Sequence, residues 1–101
     1  MADGDESPRT ATGGESPRVA ELRRAVSRLR RELAVYRGEF AELPIAEDEL
    51  AALHAMTSGA APEPDVRRLR RSLLTVAGAL GSVSALAPAL SQLRRAVDDF
   101  G

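Results

Sequence analysis

Apolar side chains recur at alternating gaps of three and four along two stretches of the chain. The first runs Val19, Leu22, Val26, Leu29, Leu33, Tyr36, and the second Val66, Leu69, Leu73, Val76, Leu80, Val83. This is the a/d spacing of a heptad helix, which lays one apolar stripe along each rod. Such a stripe is stable only when another helix covers it. The predicted fold class is therefore all-α: three to four antiparallel helices with coiled-coil-like seams, crossing at about +20°.

Punctuation along the chain places the elements. Ser16-Pro17 opens a first helix over about 17–37: Ser caps free amides and Pro fits the first turn, while Gly38 is a good stop. Phe40 and Leu43 tuck the connection onto the core, and Pro44 marks the next boundary. A second helix is predicted over about 46–57, with Glu47, Asp48 and Glu49 in its first turn, where the positive end of the dipole favours acids. Ser58-Gly59 ends it, and residues 59–63 read as a turn or short linker.

A third helix is predicted over 65–81 and a fourth over 84–99. After Val83 the apolar rhythm slips to Leu86, Leu90, Leu93, Val97 and Phe100, and Pro88 cannot donate its amide. One long helix kinked near Pro88 is the alternative. The expected core is Val19, Leu22, Val26, Leu29, Leu33, Tyr36, Leu50, Leu53, Leu69, Leu73, Val76, Leu80, Val83, Leu86, Leu90, Leu93 and Val97. Two echoes run along the chain. Pro17 to Arg24 matches Pro64 to Arg71 at five positions, and Leu22-Arg23-Arg24-Ala25-Val26 recurs as Leu93 to Val97. They fit either duplicated helices or a composition dominated by Arg, Leu and Ala.

Composition limits what this core can be. Residues 1–16 hold no large apolar side chain beyond Met1 and are predicted to be a disordered acidic tail, leaving 17–101 as the helical domain. The repeat Glu6-Ser7-Pro8-Arg9 and Glu15-Ser16-Pro17-Arg18 reads as low-complexity drift. Tyr36, Phe40 and Phe100 are the only aromatics in the 101 residues, so Leu, Val and Ala must fill the interior. A domain this small is marginal alone, and self-association would extend its core. The expected partner is protein, with a second copy first.

Charge is segregated. Residues 17–38 hold seven Arg and two Glu; residues 39–65 hold seven acids and no Arg; residues 66–97 hold six Arg and no acid. The acidic second helix should therefore lie between or beside the basic ones. Arg23, Arg24, Arg30 and Arg31, with Arg67, Arg70 and Arg71, are the expected pairing partners of Glu47, Asp48 and Glu49. Exposed pairs contribute only about 0–1 kcal/mol each, so this layout selects neighbours more than it stabilises them.

Candidate chemistry is sparse. With no Cys and the single His54, a metal site lacks ligands, and His54 reads as a rim residue. Glu47-Asp48-Glu49 point about 100° apart on a helix and do not converge on one ion. No phosphate-cradling glycine loop and no nucleophile–base pair is present, so neither enzymatic activity nor a cofactor is expected. Residues 17–101 net only +2, and no aromatic interleaves the Arg runs, so nucleic-acid binding is not favoured. Residues 72–93 carry no charge and are long enough to raise membrane association as the runner-up. Ser, Gly and Pro within them favour a buried helix pair instead, with Ala77, Gly78, Gly81, Ser82 and Ala85 permitting close backbone approach. No apolar run follows a basic start, so no secretory signal is read and a cytoplasmic location is the default. Arg supplies every basic side chain, which suggests a GC-rich genome.

Ile45-Ala46-Glu47-Asp48-Glu49-Leu50 and the run from Leu73 to Gly101 resemble short, uncharacterised helical proteins common in actinomycetes. The resemblance implies a stand-alone helical domain and transfers no activity and no site residue. If the two stripes are interior, Leu29→Asp and Leu73→Asp will each abolish folding or assembly, because a lone buried charge has no partner there. Circular dichroism and native mass check this, and unchanged helicity and mass in both variants would contradict it.

Overall fold

The computed structural model describes residues 16–36, 41–57 and 64–100. Four α-helices follow one another: α1 Pro17–Ala34, α2 Leu43–Met56, α3 Val66–Leu80 and α4 Ala87–Asp98. A 3-10 turn, Ser84–Leu86, leads into α4. α1 packs on α2 and α4, and α3 completes the ring by packing on α2 and α4. The described residues contain no strand. Arg18 at the start of α1 stacks on Phe100 beyond the end of α4, 5.3 Å from the ring centroid, so those helices run antiparallel. The order is up-down-up-down, with α1 and α3 on one diagonal.

Each helix start has a local cause. The Ser16 side chain accepts from the Val19 amide at 3.1 Å, and Pro17 occupies the first helical position. Asp65 does the same for α3, accepting from the Arg67 amide at 3.0 Å. α3 accordingly runs from 66 to 80, one residue inside each predicted end.

The other boundaries need correction. α1 ends at Ala34, short of the predicted 37, because the Val35 and Tyr36 amides turn to the carbonyls of Glu32 and Leu33, three residues back. α2 begins at Leu43, three residues earlier than predicted. Pro44 lies inside the first turn, where a missing amide costs nothing, and the Glu42 carbonyl accepts from Ile45 and Ala46 at 3.1 and 3.2 Å. Burial of Leu43 and Ala46 drives that early start. Glu47, Asp48 and Glu49 therefore stand beyond the first turn, outside the dipole's strongest reach.

The break between the last helices is real. Val83 leaves the helical region at φ −97 and ψ 97, the 3-10 turn covers 84–86, and Pro88 falls in the first turn of α4. α4 ends at Asp98. The alternative of one kinked helix is thus replaced by two. Ala77 is half-buried, while Gly78, Gly81, Ser82 and Ala85 face outward, so these small residues do not line a helix pair as expected. The inward stripe of α3 is Leu69, Ser72, Leu73, Val76 and Leu80, which leaves the small residues on other sides.

Leu22, Leu29, Leu33, Leu43, Leu50, Leu53, Leu69, Leu80, Leu86 and Leu93 are each at most 2% exposed and form one cluster with Val26, Val76 and Val97. Val19, Tyr36, Val83 and Leu90 are only half-buried, at the ends or flanks of the seams. Ala25, Ala46, Ala89 and Ala96 join the core without having been expected there. The predicted tail, Phe40, the stops at Gly38 and Ser58-Gly59, and the 59–63 linker lie outside the described residues, Ser16 alone excepted.

The two glycines of α3 and its end make opposite predictions. A Cβ at Gly78 meets nothing within 4 Å, whereas one at Gly81 would lie 2.7 Å from the Ala77 carbonyl oxygen. Gly78→Ala should raise stability by about 0.5–1 kcal/mol, since it removes unfolded-state freedom without a clash. Gly81→Ala should lower it by about 1–3 kcal/mol through overpacking. Urea midpoints of the two variants check the opposed signs.

Candidate interaction surface

With both seams turned inward, the outer faces hold what can meet a partner. Of the ten predicted seam residues, Leu22, Val26, Leu29, Leu33, Leu69, Leu73, Val76 and Leu80 lie in the chain's own core, Tyr36 packs against it, and Val19 is half-buried. Among the described residues, three large apolar side chains point outward instead: Val35 (77% exposed), Leu74 (72%) and Ile45 (54%). Leu74 follows the buried Leu73 by one residue, a rotation of about 100° that carries it out of the core.

α2 and α3 form one side of the bundle. α3 exposes Arg67, Arg68 and Arg71 outward, and Arg70 and Leu74 on the flank away from the α2-facing Ser72. Beside it, α2 exposes Ile45, Asp48, Ala51 and Ala55, with Glu42 just before its first turn. The buried Ser72 hydroxyl donates to the Glu49 carboxylate at 2.5 Å, which ties the middle of α3 to the middle of α2. That bond fixes the register and sets the basic half of α3 beside the alanine-rich half of α2. Ile45, Asp48 and Leu74 lie toward the other end.

The expected charge partners divide. The Arg23 guanidinium donates to the Thr57 carbonyl at 3.4 Å, capping the end of α2, and the buried Thr57 hydroxyl donates to the His54 carbonyl at 2.9 Å. Arg24 pairs within its own helix, 2.6 Å from Glu21. Arg30 shares a small cleft with Glu47, Asp48 and Ala51, so α2 meets α1 there through opposite charges. Arg31 lies on the outer side of α1, away from α2. Arg67, Arg70 and Arg71 are exposed on α3.

Sequence reasoning missed Ser72, Thr57 and the pair Arg28–Gln92, joined at 2.8 Å between α1 and α4. The Arg28–Glu32 pair, at 2.9 Å, and the Arg24–Glu21 pair have a sequence signal, their spacings of four and three. Among the described residues, no group of three or more His, Cys, Asp or Glu could hold a metal. Residues 72–93 are divided between α3 and α4, and no helix among the described residues is long and apolar enough to cross a membrane.

These features define a small up-and-down four-helix bundle with a charge-divided outer side. The chain belongs to a family of unknown function (DUF5955), matched over residues 11–101. That agrees with the uncharacterised helical proteins it resembles. No curated protein and no solved structure matches the chain.

The Ser72–Glu49 bond is a part-buried polar tie between α2 and α3, so its loss should be felt. Ser72→Ala is expected to cost about 1 kcal/mol, the net worth of a bond whose carboxylate partner stays half in water. Glu49→Gln keeps an acceptor and should cost less. Chemical denaturation of both variants checks the order.

Proposed function

We propose that this chain is a small helical protein–protein interaction module that assembles with itself through the outer side of α2 and α3. The observation that carries this reading is the pairing of an acidic helix and a basic helix on one exposed side, with Ile45 set among the charges. α2 carries Glu47, Asp48 and Glu49 and no Arg; α3 carries four Arg and no acid. A two-fold axis parallel to the helices lays α2 of one copy over α3 of the other, twice. Asp48 then comes within reach of Arg71 of the second copy at nearly the same height. A closed, isologous contact of this kind is the commonest form of self-assembly.

Magnitude sets the strength. Two helices of this length, each rising about 1.5 Å per residue and set about 10 Å apart, present a side of roughly 400 Å² per copy. The total of about 800 Å² falls below the roughly 1,200 Å² of stable specific interfaces, so the assembly is a weak, reversible one of micromolar strength at best. Charge pairs at its rim set specificity and salt dependence rather than raw affinity. A cytoplasmic location belongs to the same reading.

Sedimentation velocity tests it. The wild type should pass from monomer to dimer across the micromolar range, and more weakly in high salt. Ile45→Asp should remain monomeric with unchanged helicity. Asp48→Arg should dissociate the dimer, and adding Arg71→Glu should restore it. A wild type that stays monomeric at high micromolar concentration would refute the proposal.

A further inference from the structure

A second outer feature lies on the other side of the bundle. Arg23, Arg24, Ser27, Arg28 and Arg31 of α1, edged by Gln92 of α4, line a groove of about 420 Å³. No carboxylate lines it. The adjoining cleft at the start of α1 differs, being lined in part by Glu21, Asp98 and Asp99. Four of the six arginines of α1 gather there, two of them bonded to Glu21 and Glu32 of the same helix.

The groove is held in shape before anything binds. Arg28 donates through Nε to Glu32 at 2.9 Å and through Nη1 to Gln92 at 2.8 Å. Arg24 donates through Nη2 to Glu21 at 2.6 Å. Each guanidinium has five N–H donors, so both keep several for a ligand, and the two bonds of Arg28 set its plane. Fixing that plane beforehand reduces the ordering cost of binding. Arg24, Arg28 and Arg31 follow at steps of four and three, which spaces them over about 10 Å of helix. That span exceeds what one tetrahedral anion bridges and suits a linear one.

We propose that this α1 groove binds a small linear polyphosphate, free or as the polyphosphate moiety of a nucleotide. Guanidinium forks match phosphate oxygens in geometry as well as charge. The Ser27 hydroxyl adds a neutral donor between them. No aromatic side chain lines the groove, so it offers no stacking platform for a nucleic-acid strand.

Calorimetric titration of the full chain with inorganic tripolyphosphate, and separately with a nucleoside triphosphate, tests this. Binding is expected at one site per chain, falling as salt rises. The double variant Arg24→Gln/Arg31→Gln should weaken tripolyphosphate binding at least tenfold and leave helicity intact. The double variant Arg67→Gln/Arg68→Gln removes the same charge from α3 and should leave binding within twofold. Equal binding of both probes assigns recognition to the phosphates alone, and tighter nucleotide binding adds a base contact; either supports the groove. Absence of tripolyphosphate binding at millimolar concentration would overturn the proposal. So would equal losses in the two double variants, or an oligonucleotide that binds more tightly than either probe.

Discussion

Leucine packed on leucine, with little else to help, is the constraint under which this bundle forms. Every fully buried large side chain among the described residues is Leu or Val, and the aromatic contribution is confined to the edge, where Tyr36 and Phe100 are half-covered. A buried Leu or Val contributes about 1.5–3 kcal/mol, less than the larger aromatics can supply. The seams must therefore close around all four helices at once, because two of them alone would leave much of each stripe wet. This explains why Leu43 and Leu86, both outside the regular heptad runs, are drawn fully inside. Each lies beside a short connection and seals one corner of the ring.

The heptad spacing made the four rods and most of their inward stripes legible from sequence. Ser16-Pro17 and Asp65 also marked helix starts, because capping and first-turn chemistry act within three residues. What was not legible depends on neighbours distant in the chain. Pro44 can end one helix or begin another, and only the burial of Leu43 and Ala46 decides between them. Ala25, Ala46, Ala89 and Ala96 are hidden for the same reason: alanine suits a helix on any face, and only a packed neighbour reveals which face is inside. Leu74 is the converse, a core type of residue displaced by one position from the stripe.

The candidate surfaces show the same division. The block of acid in α2 and the Arg runs of α1 and α3 were visible as composition, but their partners were not. Arg23 reaches a backbone carbonyl, Glu49 reaches a serine, and Arg28 reaches a glutamine on α4. None of these acceptors or donors carries an opposite formal charge on the facing helix. Charge counting cannot find such pairs, because a helix end or a buried hydroxyl satisfies a charged group as well as a counter-ion does.

Charge nevertheless agrees with topology. α1 and α3, the two strongly basic helices, occupy the diagonal, about 14 Å apart if neighbours pack at about 10 Å. With a Debye length of about 8 Å at physiological ionic strength, repulsion across that diagonal is screened more than the attraction of either helix to the nearer α2. Short connections would impose this neighbour order anyway, so charge and chain length support the same ring. Neither chooses its hand, since a ring turning left or right has the same diagonals. The flanks of the α1 seam do choose. Arg23 and Arg30 stand on one side of the leucine stripe and meet α2; Arg28 stands on the other and meets α4. In the mirror arrangement Arg28 would face α2, and the end of α2 would lose its arginine cap. The hand of the bundle is therefore written in polar residues beside the stripe rather than in the stripe itself.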